Sequence, residues 1–243
     1  VHVGLNAQEL EYLARSTKPA KISTRNIATA IVGKLTGGTT VAGTMRIANL
    51  VGISVFATGG IGGVHRASAD LPMSYDVSAD LIELSRTPVL VVCAGAKSIL
   101  DIRATLEYLE TMSVPVIGYR TYDFPAFYSR SSGFFINQRA DSAAEIARTA
   151  RAHWGFGMES GIIIANPLPE DRSVSAEVIE NAIQESLRAA EVQGIHGQNV
   201  TPYLLAKVSE LTHGSSMEAN LFLLRSNSKL AARIANELSQ LAD

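Results

Sequence analysis

Short, mainly apolar runs alternate along this chain with segments that have the periodicity of an α-helix. The runs occupy residues 53–57, 89–93, 116–119 and 162–165, and each is only four or five residues long. Strands buried on both faces have this apolar character, and strands separated by helices are typical of βαβ units. The pattern predicts the α/β class, with a central sheet between layers of helices.

Helical patterns occupy the segments between these runs and most of the C-terminal third. They cover residues 6–15, 26–34, 40–51, 98–112, 142–153, 175–193, 201–212 and 216–240, the last with a break near Ser226. Asn6 with Glu9, and Ser142 with Glu145, have the spacing of a capping box. Because no repeat or Pro/Ser-rich linker divides the chain, we predict a three-layer α/β/α single domain over residues 1–243, with a helical C-terminal third.

Composition and charge argue against several classes of protein. The formal net charge is −2, so no excess of positive charge is present to attract nucleic acid or an anionic membrane. No stretch approaches the roughly 18 uninterrupted apolar residues of a membrane span. The single cysteine, Cys93, excludes a disulfide within the chain, which fits a reducing compartment, and we expect a cytoplasmic protein. Its place in an apolar run favours a buried strand residue over a nucleophile.

Lys97 lies where a buried strand gives way to a helical pattern, in the string "VVCAGAKSILD". Open α/β sheets bind ligands at the carboxyl ends of their strands. Burial there would lower the pKa of a lysine, and a neutral amine can attack a carbonyl to form a Schiff base. A helix starting at Ser98 would add a positive dipole end, which also disfavours the ammonium. The alternative is a lysine that extends to solvent beside a helix cap.

Two aspartates, Asp76 and Asp80, are four residues apart in "YDVSADL". On a helix they would share a face, and in a loop both could reach one hard divalent cation, which often takes only one or two protein carboxylates. The alternative is one capping and one solvated aspartate.

Two glycine-rich segments also invite interpretation. Residues 59–63, "GGIGG", fail the dinucleotide fingerprint because His65 stands where its third glycine belongs, and no clear helix follows. His65 itself lies in a loop, where histidines are often functional. The turn "GGTT" before the pattern at 40–51 offers backbone N–H groups and a helix N-terminus, which can hold a phosphate or be a simple cap.

Together these segments resemble the pseudouridine-5′-phosphate glycosidase family, also called indigoidine synthase A-like. The resemblance covers essentially the whole chain and rests on the strings "KISTRN", "GGTTVAGTM", "VFATGGIGGVHR", "DVSADL", "VVCAGAKSILD", "TLEYLETMSVPVIGY", "FPAFYSR", "ANPLPE" and "TPYLLAKVSELTHG". It implies a three-layer fold, a homotrimer and a divalent metal, most often Mn²⁺. It also implies reversible cleavage of the C–C glycosidic bond of pseudouridine 5′-phosphate, giving uracil and ribose 5-phosphate.

The resemblance assigns roles to individual residues. Lys97 matches the lysine that forms an imine with the sugar C1′, and Asp76 matches the metal ligand. The positions that match substrate-binding and other active-site residues are Lys21, Val41, His65, Ser78, Ala79, Asp80 and Asn220. The lysine suits the reaction because a C–C bond lacks the heteroatom leaving group that two-carboxylate glycosidases protonate.

The family's general acid, a glutamate in an N-terminal segment, has no match in this sequence. Glu9 and Glu11 fall in a predicted surface helix and correspond to nothing in that pattern, so we expect the segment to be missing from the chain as given. Two alternatives therefore stay open. One is another imine-forming lyase that acts on a phosphosugar, and the other is a phosphosugar-binding protein without catalysis.

Overall fold

The computed structural model describes residues 1–66, 76–195 and 200–241. Its strands are β1 (Ala20–Ile22), β2 (Gly37–Thr39), β3 (Val55–Ala57), β4 (Val64–His65), β5 (Leu90–Cys93), β6 (Leu100–Asp101), β7 (Val116–Tyr119), β8 (Gln138–Ala140) and β9 (Ile162–Ala165). Its α-helices are α1 (Ala7–Arg15), α2 (Ile27–Val32), α3 (Val41–Leu50), α4 (Ala79–Leu84), α5 (Ile102–Thr111), α6 (Ala143–Gly155), α7 (Ala176–Val192), α8 (Val200–Leu211) and α9 (Ser215–Gln240). Within these ranges no helix is long and apolar enough to cross a lipid bilayer.

A parallel sheet with the strand order β3-β5-β9-β7-β8 forms the centre of the fold. The four predicted apolar runs supply β3, β5, β7 and β9. The edge strand β8 was not predicted because Gln138 and Arg139 are exposed and give it no apolar signal.

Helices cover both faces of this sheet, so the predicted α/β fold with three layers is confirmed. Along β5, Leu90 and Val92 face a core that they share with α6 and α9. Helix α6 contributes Ile146 to this core, and α9 contributes Ile234. The alternate residues Val91 and Cys93 face the second core, built from α3, α4, α5, α7 and α8, with the buried side chains Met45, Leu84, Leu109, Ile179 and Leu204. Strand residues that point in alternate directions thus bury both faces.

The prediction that a helix begins at Ser98 is wrong. Helix α5 begins at Ile102, because the Asp101 side chain accepts a hydrogen bond from Ala104 N (2.9 Å) and caps it there. Leu100 and Asp101 instead form β6, which pairs antiparallel with β4. The N-terminus of α5 therefore lies five residues after Lys97 and does not begin beside it.

The predicted break in the last helix near Ser226 is also wrong, because α9 is continuous. The polar residues in its middle have specific partners on the sheet side. Asn166 Nδ2 donates to Ser226 Oγ (3.1 Å) and to Asn227 Oδ1 (2.9 Å), and Asn227 Nδ2 donates to Thr58 O (2.8 Å). Buried polar side chains thus tie α9 to the ends of the strands instead of interrupting it.

Candidate functional site

A cavity of about 810 Å³ brings together the predicted site residues, with one exception. The members that line it are Lys21, Val41, His65, Asp76, Ser78, Ala79, Asp80 and Lys97. They come from β1, the start of α3, β4, the segment leading into α4, the first turn of α4, and the turn between β5 and β6. The turn from β5 places Lys97 beyond the carboxyl end of a central parallel strand, where ligands bind in open α/β sheets.

Asp80, in the first turn of α4, joins three segments of the cavity wall. Its carboxylate is buried, with the residue only 4% exposed. Oδ1 accepts a hydrogen bond from Ala42 N (2.8 Å) in α3, and Oδ2 accepts one from Gly62 N (2.8 Å). Hydrogen bonds to an ionised carboxylate are among the stronger ones in proteins. Asp80 therefore fixes α3 and the glycine-rich loop relative to α4.

The glycines of "GGIGG" serve close packing in this structure. A Cβ at Gly62 would lie 2.2 Å from Ser78 Oγ, and a Cβ at Gly63 would lie 2.3 Å from Thr105 Oγ1. The loop can approach the start of α4 at Gly62, and α5 at Gly63, this closely only because these residues have no side chain.

Lys97 is largely buried beside the carboxylate of Asp80, and its backbone N–H donates to Ile61 O (3.1 Å). Burial lowers the pKa of Lys97 from its usual value, because it disfavours the charged ammonium. The charge of Asp80 acts in the opposite direction, and the charge of Lys21 lowers the pKa further. The net lowering increases the fraction of neutral amine, which is the nucleophilic form.

His65 faces Asp76 across the cavity wall, with 3.8 Å between Nε2 and Oδ2. Burial lowers the pKa of His65, the charge of Asp76 raises it, and the charges of Lys21 and Lys97 lower it, with a net lowering. The imidazole is therefore mainly neutral at pH 7, with one ring nitrogen that can accept a proton and one that can donate.

The donors around Asp76 fit a divalent cation only if water or substrate oxygens complete its coordination. The Asp76 side chain is 59% exposed at the cavity, whereas both oxygens of Asp80 accept backbone hydrogen bonds. Among the described residues, no group of three or more His, Cys, Asp or Glu is arranged to hold a metal. Sites with one protein carboxylate plus water and phosphate oxygens are common for Mg²⁺-like ions.

The structure adds cavity residues that the sequence analysis did not single out. Ser23 and Arg25 extend the wall that begins at Lys21, and Thr201, Pro202 and Leu205 of α8 close another side. The sequence contained a signal for Arg25 as a site residue, because Arg25 lies four residues after Lys21 in the quoted string "KISTRN".

The "GGTT" segment was expected to be a turn, but it forms β2, paired with β1, and the helix cap Thr40, and it contributes to the lining of the cavity. Thr40 Oγ1 accepts a hydrogen bond from Gly43 N (3.2 Å) at the start of α3, and Thr39 Oγ1 pairs with Thr44 Oγ1 (2.8 Å). Thr39 and Thr40 nevertheless both contribute to the lining. Both interpretations of this segment, as a phosphate site and as a simple cap, therefore remain compatible with the structure.

Asn220 is the exception among the predicted site residues. It lies on α9 and is not part of the lining, and its Oδ1 is 3.3 Å from the position that a Cβ would take at Gly59. Its role stays a prediction. Cys93 lies buried in β5, where burial raises its pKa to about 12, as expected of a strand residue without a nucleophilic role.

The two N-terminal glutamates lie on α1 and do not line the cavity. Glu9 accepts a hydrogen bond from Asn6 N (2.9 Å) in the predicted capping box, and Glu11 pairs with Arg15. Among the described residues of the lining, Asp76 and Asp80 are the carboxylates.

Comparison with known proteins gives a consistent set of relatives. The family model described as "Indigoidine synthase A like protein" matches residues 1–237. A pseudouridine-5′-phosphate glycosidase of Clostridium botulinum is 50% identical over 240 residues, which is 98% of this chain and 77% of the relative. One of Geobacillus kaustophilus is 51% identical over 239 residues, which is 98% of this chain and 78% of the relative.

Two solved structures have the same fold. The prealnumycin C-glycosynthase in complex with ribulose 5-phosphate superimposes with a TM-score of 0.89 at 40% identity, covering 97% of this chain and 77% of that one. An indigoidine synthase A-like protein of Thermotoga maritima superimposes with a TM-score of 0.89 at 36% identity, covering 98% of this chain and 77% of that one.

Proposed function

The chain belongs to the indigoidine synthase A-like family, and on that premise we propose that it catalyses reversible cleavage of the C–C glycosidic bond of pseudouridine 5′-phosphate. The products would be uracil and ribose 5-phosphate. Close relatives carry the name of this enzyme, and a structural neighbour was solved with a phosphosugar, ribulose 5-phosphate. One observation in this chain carries the proposal, namely a largely buried Lys97 with a lowered pKa in a cavity that also contains Lys21.

Lys97 would act as the nucleophile. Its neutral Nζ attacks C1′ as the C1′–O4′ bond breaks, and the ring oxygen takes a proton to become a hydroxyl. The nitrogen lone pair then forms C1′=N while the electrons of the C1′–C5 bond go to uracil C5, which also takes a proton. Water hydrolyses the imine, which releases ribose 5-phosphate and regenerates the amine.

Neighbouring groups would handle the protons and the electrostatics. Asp80 holds the cavity wall through Ala42 N and Gly62 N and partly offsets the lowering of the Lys97 pKa. Neutral His65 lies in the same lining and can accept or donate a proton at its ring nitrogens.

The 5′-phosphate would bind at the wall formed by Lys21, Ser23 and Arg25. Both cations and the backbone of the "GGTT" segment line the same cavity as Lys97. A guanidinium can donate two parallel hydrogen bonds to a phosphate, which a lysine cannot do.

Replacing Arg25 with glutamine should raise the KM for pseudouridine 5′-phosphate by about 10- to 100-fold, because a hydrogen bond to a charged group contributes roughly 1.5–3 kcal/mol. Initial-rate kinetics would measure this, and kcat should change less than about 3-fold. Lys18→Gln is the matched control, since Lys18 is exposed and does not line the cavity. An unchanged KM in the Arg25 variant would exclude it from phosphate binding.

A divalent metal, most often Mn²⁺ in this family, would be held by Asp76 together with water and phosphate oxygens. When bound, the ion would help to orient the phosphate and neutralise its charge. The exposed carboxylate of Asp76, 3.8 Å from His65 Nε2, supports this placement.

Asp76→Asn should weaken Mn²⁺ binding by about 10-fold or more, because the protein's charged ligand is lost. Electron paramagnetic resonance of free Mn²⁺ during a titration measures this without any turnover. Asp141→Asn is the control, since Asp141 pairs with Arg139 outside the cavity. Equal affinity in the wild type and in Asp76→Asn would rule out this metal site.

The reaction is tested by incubating the protein with Mn²⁺, ribose 5-phosphate and uracil and following pseudouridine 5′-phosphate by chromatography. Uracil-dependent product supports the glycosidase. A borohydride-trapped sugar adduct without that product would favour another phosphosugar lyase. Ribose 5-phosphate binding with neither adduct nor product would favour a binding protein.

The cellular compartment and the oligomeric state of the enzyme are further parts of the proposal. The single buried Cys93 fits a reducing, cytoplasmic compartment. We also propose a homotrimer without a nucleic-acid partner, as the family resemblance and the net charge of −2 imply. Sedimentation analysis would test the trimer.

A further inference from the structure

Arg66 connects the strand that carries His65 to the turn that carries Lys97. Its Nη2 donates to Ser98 O (3.0 Å) and its Nε donates to Leu100 O (3.3 Å). Both carbonyls belong to the turn formed by residues 97–100. The guanidinium therefore binds the main chain immediately after Lys97 at two points.

Glu180 of α7 holds this guanidinium in place. Nη1 lies 2.6 Å from Oε1 and Nη2 lies 2.9 Å from Oε2, which is the bidentate arrangement of arginine with a carboxylate. Gln184 Nε2 donates to the same carboxylate (2.8 Å), and the Arg66 side chain is only 24% exposed. The pKa of Glu180 is lowered, chiefly by its hydrogen bonds from Arg66.

Main-chain contacts hold the turn at its two ends, where Ala96 bridges to Ile61 and Leu100 of β6 pairs with His65 of β4. Lys97 N donates to Ile61 O (3.1 Å) on one side, and Leu100 N donates to Lys97 O (3.0 Å) within the turn. The side chain of Ser98 gives no help, because its buried Oγ has no hydrogen-bond partner among the described residues. Arg66 thus supplies side-chain hydrogen bonds to the carbonyls on the other side of Lys97.

We propose that Arg66, oriented by Glu180, is a positioning residue that fixes the 97–100 turn and so directs the Lys97 amine into the cavity. The consequence for catalysis rests on the proposed function, whereas the consequence for the turn does not. Arginine is required, because one planar group must satisfy two carbonyls and a carboxylate at the same time. Lysine has the charge without that geometry.

Amide hydrogen exchange of the unliganded protein tests the positioning directly. Arg66→Met should speed exchange at least about 10-fold in peptides spanning 97–101, because Lys97 N and Leu100 N lose a fixed turn. Glu180→Gln should give a smaller increase at the same peptides. Arg103→Met is the matched control, since Arg103 and Arg66 both line another cavity of about 870 Å³, but Arg103 pairs with Glu107 at the surface. Unchanged exchange at 97–101 in Arg66→Met would overturn the proposal.

Borohydride trapping with ribose 5-phosphate gives the functional readout. The trapping rate should fall about 10- to 100-fold in Arg66→Met, while the affinity for ribose 5-phosphate stays within about 3-fold. Because Glu180 acts through Arg66, the double variant should trap no more slowly than Arg66→Met alone. The positioning role of Arg66 would be contradicted if the effects of the two substitutions on the trapping rate were additive. It would also be contradicted if the trapping rate and the affinity for ribose 5-phosphate fell by the same factor. If the wild type formed no adduct, the proposed function would fail, while hydrogen exchange would still decide the role of Arg66.

Discussion

Replacing Lys97 with alanine should abolish turnover, with a loss on the order of 10⁴-fold or more, as expected when a covalent nucleophile is removed. Lys97 is the cavity lysine whose pKa burial lowers, and its neutral amine is the group that the proposed mechanism cannot replace. The measurement is kcat for uracil release from pseudouridine 5′-phosphate. Binding of ribose 5-phosphate should survive, since Lys21 and Arg25 remain.

Two further variants separate nucleophilicity from charge. Lys97→Arg keeps a cation but cannot form the imine, so it should be as inactive as the alanine variant. Lys18→Ala removes an exposed lysine outside the cavity and should retain full activity. Turnover in Lys97→Ala within about 10-fold of the wild type would disprove the imine mechanism.

Asp80→Asn should lower the free energy of unfolding by about 2–4 kcal/mol, because an amide nitrogen would face a backbone N–H where a carboxylate oxygen now accepts one. The two bonds at stake come from Ala42 N and Gly62 N in a site that is 4% exposed. Denaturant unfolding followed by circular dichroism measures the change. Asp171→Asn is the control, since its 75% exposed side chain should contribute less than about 0.5 kcal/mol.

The same variant should change the pH dependence of adduct formation. The charge of Asp80 raises the pKa of Lys97, so its removal lowers that pKa further. Neutral amine then persists to lower pH, and the rising limb of the trapping rate should move toward acid. An Asp80→Asn protein with wild-type stability and an unmoved pH profile would contradict the role assigned to Asp80.

Much of the fold was predictable because its central strands have a strong local signal. The runs that became β5 and β9 are buried on both faces, so their apolar character survives in the sequence. The capping box at Asn6 and Glu9 also formed as predicted. Short strands such as β4 and β6 gave no such signal, because each has only two residues and two residues have no periodicity to detect.

The start of α5 shows why local patterns fail at a site. Ser98 is a plausible helix cap by sequence, but Arg66, distant in sequence, takes the carbonyls of Ser98 and Leu100. Asp101 then becomes the cap. A long-range contact decided the outcome, and no window around Lys97 contains it.

The cavity itself was anticipated through resemblance more than through spacing. Motif matches alone brought Lys21, Val41 and Ser78 to attention, and the structure places all three in one lining. The approach of Asp80 to Ala42 N could not be read from the sequence, because it depends on how α3 and α4 pack.

Reductive trapping would show whether the amine of Lys97 forms an imine with the sugar. The folded protein would be incubated with ribose 5-phosphate, treated with sodium borohydride, and analysed by intact mass and peptide mapping. The imine mechanism predicts one sugar adduct per chain, located on Lys97 and absent from Lys97→Ala. An adduct at other lysines with Lys97 unmodified, or none at all in a sample that binds ribose 5-phosphate, would contradict it.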